Sequence, residues 1–256
     1  MRFALDVAEK SAQLVLRYFR TEDLSVETKS DASPVTIADR EAEQFLRDQI
    51  GLVFPGDGIL GEEHGEAEGG AFRWILDPID GTESFIRGVP LFGTLIGLEW
   101  NGDPVGGILG LPALHETIYA WRGHGAWLVR EGRRPKPARV SSVDSPDRSL
   151  LCMTSPSAFH QTGIGATFDR LAREFGKTRG WGDCYAYALV ATGRAEAAID
   201  HRMHIWDSAP LLPILEEAGG RFTDWSGVAT IDGGNALATN GQFHDDVLRW
   251  IAPDAE

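Results

Sequence analysis

Cysteine is nearly absent: Cys152 and Cys184 are the only two in 256 residues. They are too few and too far apart for a disulfide framework or a zinc cluster, and both are expected to be reduced. Long apolar runs are missing too. No stretch approaches the roughly 20 residues that cross a bilayer. The start, Met1-Arg2-Phe3-Ala4-Leu5-Asp6, brings an acid into its first turns where a secretory leader would carry an apolar core. A cytoplasmic protein with no membrane partner is the expectation. Basic residues are scarce as well. Lys and Arg number 24 against 38 Asp and Glu, a formal charge of −14, which argues against nucleic acid or an anionic membrane as a partner. An anionic chain of this kind can hold an anionic ligand only with local positive charge, and bound cations supply it more readily than so few Lys and Arg.

What is present is an ordinary globular composition, 43% apolar and 24% charged, long enough for one large domain or two modest ones. One stretch organises the rest: Trp74-Ile75-Leu76-Asp77-Pro78-Ile79-Asp80-Gly81-Thr82-Glu83-Ser84-Phe85. The apolar run predicts a short buried strand that stops at Asp77-Pro78, where proline has no ladder N–H to give. Asp77 and Asp80, three residues apart around a proline, fold toward one point. Gly81 lets backbone pass close to a ligand, and Thr82 can cap a helical turn that begins at Glu83. Free N–H groups at a helix start attract phosphate. Two acids and a phosphate repel one another unless divalent cations sit between them, so the stretch predicts a metal-assisted phosphate site.

Around it the chain alternates legibly. Phe3, Val7, Leu14, Val15 and Tyr18 recur at helical spacing. Leu24 to Val35, with Lys29-Ser30-Asp31-Ala32-Ser33-Pro34, reads as a loop or tight hairpin, and a second helix from Thr36 to Ile50 ends before Gly51 and Pro55. Asp39 in its first turn suits the helix dipole. Gly58-Ile59-Leu60-Gly61 reads as a strand that delivers Glu62 and Glu63 to its end, before a Gly- and Glu-rich loop from His64 to Gly70; His64 has no assigned role. Two β-rich runs flank Asn101-Gly102-Asp103, a hairpin signal, and further strands around Glu116–Ala120 and Gly125–Val129 imply a mostly antiparallel sheet covered by the two N-terminal helices.

Composition changes at Arg130-Glu131-Gly132-Arg133-Arg134-Pro135-Lys136-Pro137, a turn beside a domain boundary or a short polyanion-binding patch. The expected division is an α+β half over 1–135 and an α/β half over 136–256. In the second half, strands at Ser149–Thr154, Lys177–Trp181 and Ala195–Asp200 alternate with helices over Phe168–Phe175 and Tyr185–Thr192, and two closing strands and a last helix, Phe243–Ile251, follow. Asp183, at a helix entry, is either an N-cap or a ligand-facing acid. Asp207, which opens the helix from Ile205, is either a cap or a further acid for the Asp77–Asp80 pair.

Asp77-Pro78-Ile79-Asp80-Gly81-Thr82 resembles the signature of the inositol monophosphatase-like family of magnesium-dependent, lithium-sensitive phosphatases. The resemblance continues through Gly61-Glu62-Glu63, Trp206-Asp207 and Glu217-Ala218-Gly219-Gly220, along nearly the whole chain. It implies an α+β or α/β sugar-phosphatase fold, a layered αβαβα sandwich, and a homodimer. It also implies two or three Mg2+ per site on Glu62, Asp77, the Ile79 carbonyl, Asp80 and Asp207, with Glu63 behind Glu62. By the same resemblance Asp39 and Thr82 orient the attacking water and the Gly81 and Thr82 amides hold the phosphate. Gly182-Asp183-Cys184-Tyr185 followed by Val190-Ala191-Thr192-Gly193-Arg194 is similar to the family's histidinol-phosphate phosphatase branch.

Acids left over once metals are served favour a substrate that carries a cation. Asp183 and Asp200, helped by Arg179, are the expected substrate contacts, and L-histidinol phosphate, with an amine and an imidazole, is the expected small-molecule phosphomonoester. The expected reaction is direct attack by a metal-activated water. Inositol monophosphate or another small sugar or nucleotide phosphate is the alternative substrate. A metal- or phosphate-binding protein without turnover is the remaining reading.

Overall fold

The computed structural model describes residues 1–21, 25–28 and 34–252. The chain opens with α1 (Arg2–Tyr18), whose Ala4, Val7, Ala8 and Val15 form one buried stripe. Two short antiparallel strands follow, β1 (Val26–Thr28) and β2 (Pro34–Thr36), paired Val26 to Thr36. The hairpin alternative was therefore right, and its tip, Lys29 to Ser33, lies outside the described residues. Next comes α2 (Ile37–Val53), with Ala38, Ala42, Leu46 and Ile50 buried at i, i+4 spacing. The helix passes through Gly51, where it was expected to end, and stops instead ahead of Pro55, which forces Phe54 out of helical backbone to φ −129 and ψ 64.

The first sheet is built from β3 (Gly58–Gly61), β4 (Gly65–Ala67), β5 (Phe72–Asp80), β6 (Gly93–Trp100), β7 (Asp103–Leu111), β8 (Glu116–Trp121), β9 (Ala126–Arg130) and β10 (Lys136–Pro137), with a single short helix, α3 (Thr82–Ile86), between β5 and β6. The strands lie in the order β10-β9-β8-β7-β6-β5-β3-β4. Only β3 and β5 run parallel. The β6–β7 turn has Asn101 at φ 51 and Gly102 at φ 85, the positive pair a two-residue hairpin needs. β4 occupies part of the loop expected after His64. β5 does not stop at Asp77 as expected. It runs through Pro78 to Asp80, because Asp77 pairs with Leu95 and Asp80 with Gly93, so a bulge absorbs the residue without an N–H.

The second half carries β11 (Leu150–Cys152), α4 (Pro156–Gln161), α5 (Gly165–Glu174), β12 (Lys177–Arg179), α6 (Asp183–Ala191), β13 (Ala197–Asp200), α7 (Ile205–Glu217), β14 (Arg221–Thr223), β15 (Ala236–Thr239) and α8 (His244–Ile251). α4, capped by Ser155, was not anticipated. The second sheet runs β12-β11-β13-β15-β14, parallel over its first three strands and antiparallel over the last two. The 135/136 division falls at the start of β10, which still pairs with β9.

Alternation along β5 sets the layers. Trp74 and Leu76 face α1 and α2 with Ile96 and Ile108. Ile75 faces the other way, into one core shared with α6, α7 and the inner face of the second sheet through Cys152, Ala198 and Ala238. Leu151, Met153, Ile199 and Leu237 then pack outward on α4, α5 and α8. The result is the layered αβαβα arrangement. α7 sits unusually close to the first sheet: a Cβ on Gly107 would lie 2.1 Å from the Pro210 carbonyl oxygen.

Candidate active site

The site forms where β3 ends alongside β5, to which it runs parallel, and β5 continues through its bulge. Gly61 is paired with Leu76, and the Glu62 N–H donates to the Leu76 carbonyl at 3.2 Å, so Glu62, just past the end of β3, comes beside Asp77 within β5. The bulge at Pro78 returns Asp80 to the same point. α7 brings Asp207 to them from the layer below. Ligand oxygens of Asp77, Asp80 and Asp207 lie within 4.8 Å of one another. The Glu62 charge acts on Asp77, Asp39 and Asp207 alike.

Two helices deliver an acid by the same device. Asp39 is the third residue of α2, and its Oδ2 accepts the Thr36 N–H at 2.8 Å and the Thr36 hydroxyl at 2.6 Å. Asp207 is the third residue of α7, and its Oδ2 accepts the His204 N–H at 2.7 Å. Each carboxylate is anchored at its helix start through Oδ2, and Asp39 Oδ1 lies 3.5 Å from Thr82 Oγ1. Capping and a place beside the other acids, separate readings of the sequence, are one geometry here. Thr82 does not cap α3; Gly81 does, at φ +82, a backbone that suits glycine. Thr82 Oγ1 is thereby free to donate to the Ile79 carbonyl at 3.0 Å and to reach Asp39 Oδ1 at 3.5 Å. The start of α6 closes the ring: the Cys184 N–H donates to Asp80 Oδ2. Asp183 does not cap α6, since Gly182 holds that position. Its φ is +50, its N–H donates to Thr154 Oγ1 at 2.8 Å, and a Cβ on Gly81 would lie 3.1 Å from its Oδ2.

Burial and like charge dominate the electrostatics. Burial pushes the Asp77 carboxyl well above the usual range, and the leading charges around it, Glu62, Asp80, Asp207 and Asp39, are all carboxylates. Asp80 is raised well above it too, by burial and then by Asp183 and Asp207. Asp207 is pushed up to about 7 by burial. Asp39 is raised by burial against the pull of its Thr36 hydrogen bonds. Asp77 Oδ1 is buried without a hydrogen-bond partner. An orphaned carboxylate oxygen facing further carboxylates fits a hard divalent cation, which takes oxygen donors. The nearby Cys184 thiol is held neutral by burial and by Asp80, so it offers no soft ligand.

Beside this group opens a cavity of about 380 Å³, lined by Asp80, Asp183 and Asp207 together with Asp200, Tyr187 and Met203. Asp200 is buried at the end of β13; its Oδ1 accepts the Thr154 N–H at 2.9 Å and its Oδ2 the Tyr187 hydroxyl at 3.1 Å. Burial raises Asp200 to about 7 and Asp183 to about 6. Arg179 does not line the cavity. It ends the edge strand β12, exposed, with its guanidinium 5.8 Å from the Trp181 ring.

The sequence pointed to neither Thr154, which holds Asp183 and Asp200 in one register, nor Glu43. Glu43 is fully buried and accepts the Glu63 and His64 N–H groups at 2.7 and 3.1 Å and Arg47 Nε at 2.7 Å, shaping the turn that carries Glu62. The available signal was an acid on the apolar stripe of α2, one turn after Asp39. His64 stays exposed.

The raised acids fix the pH dependence of the metal-free protein. A carboxyl whose folded pKa exceeds its unfolded value binds more protons in the native state, so stability falls as pH rises from about 4 to about 7. Asp183, Asp200 and Asp207, at about 6, 7 and 7, set that window. The melting temperature of the metal-stripped protein should be about 5 °C or more higher at pH 5.5 than at pH 8, and added Mg2+ should reduce the difference by the share that Asp77, Asp80 and Asp207 contribute. Scanning fluorimetry that found the stripped protein more stable at pH 8 would contradict this burial of acids.

The model of the inositol monophosphatase family matches residues 1–253. A histidinol-phosphatase from Chlorobaculum parvum is 43% identical over 98% of this chain and 96% of its own. A histidinol-phosphatase from Mycobacterium tuberculosis is 41% identical over 97% of this chain and 96% of its own. Among solved structures, the extragenic suppressor protein suhB from Bartonella henselae superposes with a TM-score of 0.90 at 29% identity, covering 100% of this chain and 99% of its own.

Proposed function

The chain belongs to the inositol monophosphatase family and is a phosphoric monoester hydrolase, and we propose that it cleaves L-histidinol phosphate to L-histidinol and phosphate in histidine biosynthesis. The observation that carries the substrate is the pair of acids, Asp183 and Asp200, on a cavity wall beside the acidic group but outside it. A neutral cyclitol phosphate gives buried carboxylates only hydroxyls. An ammonium or imidazolium gives them the opposite charge that burial makes them want. The two relatives at 41–43% identity carry the name of this activity.

Glu62, Asp77, the Ile79 carbonyl, Asp80 and Asp207 would hold two or three Mg2+. Bound there, the cations would neutralise phosphate oxygens and acidify a water. The residues of the chain do the positioning. The Gly81 and Thr82 amides, at the start of α3, hold the phosphate. Thr82 Oγ1, fixed between the Ile79 carbonyl and Asp39 Oδ1, orients the attacking water, and Asp39, raised by burial, draws on its proton. The attack is direct, without a phosphoenzyme. Residues 1–135 supply most of the metal-binding half, and 136–256 supply the substrate contacts and Asp207. A cytoplasmic homodimer completes the reading.

A release assay over L-histidinol phosphate, inositol monophosphate, fructose bisphosphate and an adenosine bisphosphate, with and without Mg2+, tests it. We expect kcat/KM for L-histidinol phosphate to exceed the others by about tenfold or more, a difference of about 1.4 kcal/mol, and every activity to vanish without metal. Faster hydrolysis of inositol monophosphate would overturn the substrate. Undiminished turnover after metal removal would overturn the site.

A further inference from the structure

The scarce positive charge of this chain is not spread evenly. Between Arg130 and Arg139 stand five cations, Arg130, Arg133, Arg134, Lys136 and Arg139, against one acid, Glu131. The fold gathers three of them with Arg194, which follows α6, around a cavity of about 240 Å³. The cavity lies at the far edge of the first sheet, where β10 pairs with β9. α6 separates it from the catalytic group: Cys184 near the helix start holds Asp80, and Thr192, just past the helix end, lines this second cavity. Nine helical residues span about 13 Å.

The cluster is built, with a carboxylate at its base. Glu116, whose side chain is 11% exposed, accepts Arg130 Nε on one oxygen at 2.7 Å and Arg194 Nη2 on the other at 2.8 Å. Arg194 Nε also donates to Thr192 Oγ1 at 2.8 Å. One carboxylate thus orients two guanidiniums and leaves each with unspent N–H donors. Lys136 and Arg139 add two more charges, and among the described residues neither has a carboxylate within ion-pair distance. Glu131 is turned away, 3.3 Å from His115 Nδ1. Four cations face the cavity with one acid to balance them, in a protein whose charge is otherwise strongly negative.

We propose that this cavity is a second, non-catalytic binding site for a small phosphate-bearing anion of the diphosphate type. Fixed guanidiniums match phosphate oxygens bidentately, and the exposed Lys136 and Arg139 suit a ligand with more than one negative charge. The volume accepts one such molecule. A single-stranded RNA, the competing polyanion, would need a longer basic track than this.

Titration calorimetry of the full chain with inorganic pyrophosphate tests it, using protein stripped of metal and dialysed free of chelator. In that state the catalytic group is a set of bare carboxylates that repels the probe. We expect one saturable site, tighter than about 1 mM, weakened by salt. Affinity should fall about tenfold or more in Lys136→Glu with Arg139→Glu. Both residues lie outside the catalytic machinery, so phosphatase turnover with Mg2+ should stay at the wild-type rate and report an intact fold. No saturable binding, equal affinity in the double variant, or binding of an RNA fragment in place of pyrophosphate would each overturn the proposal.

Discussion

Asp80→Asn should lower phosphomonoester turnover about 10³-fold or more and, in the metal-free protein, raise the melting temperature. The two effects have one cause. Asp80 is forced above the usual carboxyl range by burial and by Asp183 and Asp207, so its charge costs stability unless a cation compensates it. Asparagine keeps the shape and an oxygen for the Cys184 N–H, so α6 stays docked. What it loses is the charge that would draw the cation. In the wild type, added Mg2+ should raise the melting temperature, because a ligand bound only to the native state stabilises it by mass action. In the variant that shift should shrink. Activity within tenfold of wild type would remove Asp80 from the site. A variant less stable than wild type without metal would show that the group is not held together against its own repulsion.

The sequence made the strand–bulge–helix stretch from Trp74 to Phe85 legible because its chemistry is local. Acids, proline and glycine at fixed offsets dictate their own backbone. The same holds for the Asn101-Gly102 hairpin and the stripes of α1 and α2. The sequence placed Asp39 and Asp207 correctly at helix starts but posed capping against a place in the acidic group, whereas the third position of a helix lets one carboxylate accept the cap N–H and still act on Asp77. What stayed out of reach lies between elements. Pro78 sits inside β5 because a bulge opposite Leu95 and Gly93 absorbs it, which only the partner strand reveals. Thr154 reaches both Asp183 and Asp200 from β11's end, and Glu43 secures a turn twenty residues downstream. No spacing within one element encodes these contacts. Arg179 fails for the converse reason: it is near Asp183 in the chain, yet the edge position of β12 carries it to the surface.

At saturating Mg2+, Asp183→Asn should lower kcat/KM for L-histidinol phosphate about 100-fold, or about 2.7 kcal/mol, chiefly through KM. It should barely change the value for imidazolylpropyl phosphate, which keeps the ring and lacks the amine. Asp183 lines the cavity with a carboxyl lifted to about 6, and Asp200, lifted to about 7, lines it too. An ammonium between them pulls both down into the charged form, and that gain is binding energy a neutral substrate cannot collect. Asparagine tolerates the positive φ at this position, its backbone N–H still donates to Thr154 Oγ1, and its amide can replace the carboxyl in the side-chain contact with Thr154, so the helix start survives the change. Asp200→Asn should act in the same direction, because an amide oxygen still accepts the Thr154 N–H and the amide NH2 can donate to the Tyr187 hydroxyl, so the change removes the charge and leaves the contacts. An equal loss on both substrates would reassign Asp183 to the metal group, whose members Asp80 and Asp207 already feel its charge.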